Sequence, residues 1–465
     1  MVERDVEYVA PRTATEQRIA EILGEQLGIE RVGAHDQFLE LGGHSLMAMR
    51  VAARLSEATG ARVPVRLIFE HPSVAELAAA VDQLAGTNRD RAITARPPGT
   101  PAPLSHQQRF IWRLARAGHG ALDCNVPLAV RFRGALDAGA LEWAIGQLIA
   151  RHASLRTAFT GDGEHVVQRA VPPAGFALPR IDLALAPDRE LRLAELARTE
   201  ACTPFDLGRD PLLRGPLIAL SPRDHALLLT THRIAYDGAS LRVLARELVA
   251  LYVARTTSVD PVVPALTVQY PDYAAWQHEI GAAWAEDERY WLDQLADLAS
   301  SAAAARLTPS APAARCTRAL PAAVVAALAS FAAARRVTPF MVVLAAVHLA
   351  LAATRGVAGD LVDEALWVPV ANRGTRDVEP LIGRFVNLIA LRTRLRLDDS
   401  PGAALDRIRA TLLDALAHQQ LPFERLVAAA TARGLAVPRV MFNLVDTPLD
   451  HIELPGLQIA PLPVL

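Results

Sequence analysis

At 465 residues with a formal net charge of −2, the chain is long enough for about three folded units and has no charge excess that would favour nucleic acid or an anionic membrane. Hydrophobic residues make up 51% and charged residues 21%, a composition for filled cores that excludes disordered and fibrous classes. No apolar run reaches the roughly 20 residues needed to span a bilayer, and no secretory pattern follows Met1.

The three cysteines, Cys124, Cys202 and Cys316, lack metal-ligand spacing and fit a reducing cytosol better than a disulfide framework. The expectation is a cytoplasmic protein with no metal, no nucleic-acid partner and no membrane association.

Residues 11–84 predict a small helical unit. Thr13 with Glu16 is a capping-box pattern, and Ile19, Ile22, Leu23 and Leu27 then share one helix face. The turn Leu41-Gly42-Gly43-His44-Ser45-Leu46 sets Ser45 at the start of a second helix carrying Leu46, Met49 and Leu55. Ser73 with Glu76 opens a further helix with Leu77, Val81 and Leu84. Residues 85–102 read as a semi-rigid linker, polar from Gly86 to Arg91 and then Pro97-Pro98-Gly99-Thr100-Pro101. From residue 103, helical runs (Leu136–Ile149, Asp188–Ala201, Ala239–Ala254) alternate with short apolar runs (Val126–Phe132, Ala226–Thr231, Ala365–Val370, Val440–Val445). That alternation predicts α/β layers. Trp276 to about Leu298 predicts one charged, aromatic helical segment between two halves.

A helix N-terminus presents unpaired N–H groups and partial positive charge, so a phosphate attached there is stabilised. On the residues alone, Ser45 reads equally as a helix cap. The turn within its helical unit resembles a peptidyl carrier domain of the nonribosomal peptide synthetases. The resemblance implies that Ser45 carries 4′-phosphopantetheine, installed from coenzyme A by a phosphopantetheinyl transferase, with an upstream adenylation domain as a further partner. His44 stands where carriers feeding an epimerase more often have Asp, which implies an L- or achiral donor.

Beyond residue 103, seven runs resemble, in order, the signature motifs of the synthetases' condensation domains. They are Ser105–Trp112, Arg151–Phe159, His232-Arg233-Ile234-Ala235-Tyr236-Asp237-Gly238, Tyr270–Trp276, Ile382–Asn387, His418–Glu424 and Met441-Phe442-Asn443. The resemblance covers about 11–465. It implies a four-helix carrier bundle (11–84) followed by a two-lobed α/β condensation domain like chloramphenicol acetyltransferase, with an N-lobe at 103–275, a C-lobe at 276–465 and a tunnel between them. Family members usually continue past the last motif, so the C-lobe is expected to be incomplete at its C-terminus.

The implied reaction is aminolysis of a thioester: the amine of an aminoacyl thioester on a downstream carrier attacks the acyl or peptidyl thioester on the Ser45 arm. The family's active-site motif has two histidines, and the second, usually assigned to the amine, is Arg233 here. A guanidinium has no acceptor site and keeps its proton, so Arg233 cannot be a general base; it can donate to a developing oxyanion. Three readings stay open: an altered, impaired active site; a weak or noncatalytic platform; and catalysis by positioning with Arg233 tolerated. The platform has a parallel in the X domains of glycopeptide synthetases, which have His-Arg and recruit cytochrome P450 oxygenases, though this chain keeps Gly238. A free-standing acetyltransferase using coenzyme A is disfavoured by the fused carrier.

The family comparison assigns loop support to His232 and an organising salt bridge to Asp237, for which Arg373 is the candidate partner. Gly238 is expected to allow close backbone approach or positive φ. Asn443 lines the pocket or belongs to a strand ladder. Arg109 and Arg156 read as ion-pair residues between elements.

Overall fold

The computed structural model describes residues 8–43, 45–61, 63–84, 92–117, 124–298, 316–355, 361–396, 398–445, 454 and 456–463. These fall into two compact units, one made of Met1–Asp90, Trp284–Thr375 and Asn387–Leu444, the other of Arg91–Ala283, Arg376–Val386 and Val445–Leu465.

In the first unit the N-terminal part is four helices, Ala14–Leu27, Ser45–Thr59, Val65–Glu70 and Val74–Asp82. Their apolar stripes meet in a core of Ile19, Leu23, Phe38, Leu55 and Ile68. Ser73 and Glu76 form the reciprocal box, with Glu76 N–H on Ser73 Oγ at 3.3 Å and Ser73 N–H on the Glu76 carboxylate at 3.1 Å. At Thr13 only half of the box forms: Thr13 Oγ accepts from Glu16 N–H at 3.0 Å, while the Glu16 carboxylate takes the Arg12 N–H at 2.6 Å. That carboxylate is held below its usual range mainly by the Arg12 backbone bond.

The later part of this unit is built on strands Leu361–Val370 and Asn387–Arg396, paired antiparallel, with Val440–Met441 added parallel to Leu361–Val370. The apolar run expected over Val440–Val445 pairs only at its first two residues, extended by one bond from Phe442 N–H to the Trp367 carbonyl.

The second unit carries a sheet in the order Leu457–Pro461, Asn125–Gly134, Asp224–His232, Leu217–Ser221, Arg180–Asp182, with Leu213–Arg214 also on Asp224–His232. Leu227 and Leu229 face helices Ala138–Arg151 and Gly238–Thr257, while Ala226 and Leu228 face helix Arg189–Cys202. A strand covered on both faces needs apolar residues at both parities, which is why 226–229 is a continuous apolar run.

Three expected boundaries shift. The helical segment from Trp276 breaks at Ile280, giving helices Tyr270–Glu279 and Ala285–Leu295 around a tight turn at Gly281–Trp284, where glycine is a poor helix former. The linker's second half is not a spacer: Ile93 is buried with Tyr270, Tyr273 and Phe385, and Ala102–Pro103 pairs with strand Val167–Ala170. The range 276–465 is not one body, because Leu457–Pro461 completes its backbone pairing on Asn125–Gly134 and Ile382–Val386 is hydrogen-bonded inside the second unit. Among the described residues no single helix is long and apolar enough to cross a membrane.

Candidate active site

The active-site motif straddles a strand, a turn and a helix. Strand Asp224–His232 ends on His232, the chain turns through Arg233–Tyr236, and Asp237 caps helix Gly238–Thr257. His232 is 3% exposed and packs edge-on against Phe205 at 5.8 Å. Its Nδ1 accepts the Ile234 N–H at 3.2 Å, so the neutral ring carries its proton on Nε2. Burial, reinforced by the charges of Arg233 and Arg214, pushes its pKa down to about 4. Arg233 donates its backbone N–H to the Cys124 carbonyl at 2.7 Å, and its side chain is exposed. Both motif positions therefore present N–H donors: imidazole Nδ1 is already committed, and guanidinium has no lone pair.

Asp237 is occupied with structure. One carboxylate oxygen accepts Ser240 N–H at 2.9 Å and Ser240 Oγ–H at 2.8 Å; the other accepts the N–H groups of Phe385 at 2.9 Å and Val386 at 3.1 Å. It thus caps the helix and grips the Ile382–Asn387 motif. Other motif residues hold the same stretch. Ser154 Oγ donates to the Ile382 carbonyl at 2.6 Å, and Ile382 N–H donates to His152 Nδ1 at 3.3 Å. The opposite edge of that ring, Nε2, meets the buried Glu247 at 2.8 Å, and Arg151 reaches the same carboxylate oxygen at 3.0 Å. Tyr270 Oη donates to the Arg384 carbonyl at 2.6 Å, so Ser105, 2.8 Å away, gives its proton to Tyr270. Burial raises the Tyr270 pKa well above the ordinary phenol value, which keeps this donor protonated.

Sequence reasoning assigned no role to His152, Ser154, Ser240, Tyr270 or Glu247. The signal was partly present, since Ser105, His152, Ser154 and Tyr270 all lie inside quoted motif runs.

The other candidates lie elsewhere. Gly238 corrects its expectation: its φ is not positive, and a Cβ built there meets no described atom within 4 Å. It is an exposed first helical residue with open space beside it. The close approach belongs to Gly383, where a Cβ would stand 2.1 Å from the Tyr270 ring. Arg373 is buried just past strand Leu361–Val370, and Asn443 is exposed just past Val440–Met441, outside the ladder; these are the matching ends of two parallel neighbours in the first unit. Arg156 donates to the backbone carbonyls of Ala150 and Val171, not to a carboxylate among the described residues.

Ser45 is the first residue of helix Ser45–Thr59, after a turn in which Gly42 has φ 90°. The first-turn N–H groups of such a helix have no helical acceptor, which suits a phosphodiester attached at its first residue. His44, on which the donor expectation rested, lies outside the described residues.

Known proteins resemble both parts. A family profile described as "Condensation domain" matches residues 100–446, and one described as "Phosphopantetheine attachment site" matches 17–81. The chain belongs to the condensation-domain family. One of the linear gramicidin synthase proteins of Brevibacillus parabrevis is 38% identical over 466 residues, covering 97% of this chain and 9% of that protein. Malpibaldin synthetase of Mortierella alpina is 36% identical over 471 residues, covering 97% of this chain and 8% of its own length. The chain thus spans under a tenth of these relatives. Among solved structures, the X-domain from teicoplanin biosynthesis is 29% identical with TM-score 0.64, covering 80% of this chain and 84% of that one. The first condensation domain of the CDA synthetase, at 20% identity and TM-score 0.65 over 78% of this chain and 86% of that one, shares the fold. A phosphopantetheine attachment region followed by a condensation domain, in an α then α/β arrangement, is the organisation of this chain.

This geometry predicts one effect of pH and one of packing. The folded His232 pKa of about 4 lies below the ordinary 6.5, so unfolded chains bind the proton first. The stabilisation is complete above pH 6.5 and is lost as pH falls from there toward 4. His232→Asn keeps an acceptor for Ile234 N–H but cannot titrate. Urea unfolding of both proteins should therefore show wild type losing up to about 3 kcal/mol relative to the variant between neutral pH and pH 4; a pH-independent difference would contradict the neutral, buried ring. As for packing, Gly383→Ala should cost about 1–3 kcal/mol by overpacking against Tyr270, whereas Gly238→Ala should leave thermal unfolding nearly unchanged.

Proposed function

We propose that this chain is the carrier–condensation part of a nonribosomal peptide synthetase that forms a peptide bond, with its rate impaired by Arg233. Ser45 is the attachment residue, and the phosphopantetheine arm supplies the thiol that holds the donor as a thioester. The acceptor amine attacks the donor carbonyl carbon; the C–N bond forms, the C–S bond breaks, the nitrogen gives up a proton and the sulfur leaves as a thiol. An α-amine has a pKa near 8, so roughly a tenth is neutral at pH 7 and can attack without a base, provided it is positioned. His232 supports the turn, Arg233 offers donors toward the reacting carbonyl, Gly238 leaves room beside the helix start, and Asn443 contributes to the lining. The observation that carries this reading is the strand–turn–helix whose two leading side chains offer donors only, in a chain that sets Ser45 at a helix start.

The reading takes in a phosphopantetheinyl transferase, an upstream adenylation domain, a downstream acceptor carrier and a cytoplasmic location. Its test begins with coenzyme A and a broad-specificity transferase; mass spectrometry should find the added arm on Ser45, and unmodified folded protein would overturn the carrier assignment. With an aminoacyl arm and an acceptor-loaded carrier, intact-protein masses should show dipeptide forming slowly. Arg233→His should then accelerate it about 10²-fold, the usual reach of a positioned base. An unchanged rate would show that Arg233 is not the impairment.

A second reading has the 29% identity to an X-domain, one solved in complex with OxyB, in its favour. Here the condensation domain is a platform that recruits a partner such as a cytochrome P450. No dipeptide from either protein, together with saturable binding of such an oxygenase, would select it.

Asp237 is also proposed to pair with Arg373. In a double-substitution cycle with Asp237→Asn and Arg373→Gln, stability should be non-additive by at least about 1 kcal/mol; additive losses would remove the pair and leave Asp237 as cap and clamp alone.

A further inference from the structure

Helix Pro401–Ala417 buries Ile408, Leu412 and Leu416 in its own domain. Two further residues, Arg409 and Leu413, stand four apart on one stripe of that helix and meet the carrier. Leu413 is buried within the carrier's own apolar cluster. Arg409 donates to the Phe69 carbonyl at 2.5 Å, and its guanidinium lies 5.9 Å from the Phe69 ring centroid. Phe69 is the penultimate residue of the short carrier helix Val65–Glu70. Beside this contact is a cavity of about 280 Å³ whose lining sets carrier acids against condensation-domain bases: Glu40 and Glu70 on one side, Arg336 and Arg409 on the other.

We infer that helix Pro401–Ala417 is a docking surface for this chain's own carrier, engaged through the carrier helix Val65–Glu70 and steered by charge. The occupant is fixed by what is seated there: Phe69, which gives both its carbonyl and its ring to Arg409, and a carrier core that accepts Leu413. The contact is built on the helix Val65–Glu70, whereas Ser45 opens a different helix, so holding the carrier and modifying it use separate elements. A surface resting on one guanidinium, one leucine and a charge-lined cavity is small enough to release, as delivery of a donor would require. Salt should weaken it, because Glu40, Glu70 and Arg336 are exposed and Arg409 is only half-buried.

Amide hydrogen exchange on the full chain tests this. A six-residue helix is marginal without tertiary support, so in wild type residues 65–71 should be protected by the contact. In Arg409→Glu their exchange should rise at least about tenfold, the weight of one hydrogen bond to a charged donor. Amides of Ala14–Leu27 and Asn387–Arg396 should not change, which shows that both folds persist. Adding Glu70→Arg to Arg409→Glu should restore much of the protection. Unchanged exchange at 65–71 in both Arg409→Glu and Leu413→Gln would overturn the docking surface. So would an equal rise across the whole carrier, which would make the contact part of the carrier's fold. None of these readouts involves an arm on Ser45, so failure here leaves the peptide-bond reading standing, and failure of that reading leaves this one.

Discussion

The Asp237 carboxylate joins two stretches of chain 148 residues apart, and the candidate site depends on that join. Its oxygens accept two bonds from Ser240 and two from the backbone of Phe385 and Val386, so one side chain starts a twenty-residue helix and anchors a remote loop. A buried carboxylate is costly unless its lone pairs are met, and here three backbone N–H groups and the Ser240 hydroxyl meet them. The reverse also holds: without the carboxylate the buried N–H groups of Ser240 and Phe385 would lose their acceptor. The turn between His232 and Asp237 is therefore pinned at its far end by the same group that fixes Ile382–Asn387.

With the turn pinned, the chemistry of its first two residues is constrained by hydrogen bonding. His232 cannot swing to present Nδ1, because that nitrogen holds the Ile234 N–H inside the turn. Burial keeps the ring neutral, so it does not add a second positive charge next to Arg233. Among the described residues Arg233 has no such duty: its backbone N–H is tied to Cys124, and its side chain is exposed. The first two residues of the turn thus differ in kind: His232 is buried and committed, Arg233 exposed. The bonds from His232 Nδ1 to Ile234 and from the Asp237 carboxylate to Ser240 and Phe385 do not involve the side chain at position 233, so the turn accommodates an arginine there.

Much of this was legible beforehand, and the misses have physical causes. The Ser73–Glu76 box and the two-sided apolar run at 226–229 express local rules, and both formed. Thr13 shows the limit of such rules, since an Arg12 N–H one residue earlier captured the Glu16 side chain. Gly238 was read for backbone freedom because it follows an active-site aspartate, yet the glycine that a side chain would disrupt is Gly383, whose neighbour Tyr270 is 113 positions away in sequence and invisible to any local pattern. The strand at Leu457–Pro461 was assigned to the nearer lobe for the same reason: its partner is Asn125–Gly134, and only the sheet's need for backbone pairing decides that.

The Asp237 arrangement has a counterpart in the other unit. Asn387 donates both amide hydrogens, to the carbonyls of Gln419 at 2.8 Å and Leu421 at 2.7 Å, and accepts the Phe423 N–H at 2.9 Å. One side chain again satisfies the backbone of a distant loop, here the His418–Glu424 run, and starts the helix Phe423–Ala432 that follows. His418 is held in turn by Asp287 at 2.7 Å and stacks on Tyr290. An amide suits Asn387 because the loop offers it both carbonyls and an N–H, whereas a carboxylate suits Asp237 because its loop and helix offer only donors. Exchanging the two side chains would put acceptor against acceptor at 387 and leave donors unpaired at 237. The polar residues of these motifs are thus matched to backbone groups first, and that matching constrains them even where no substrate touches them.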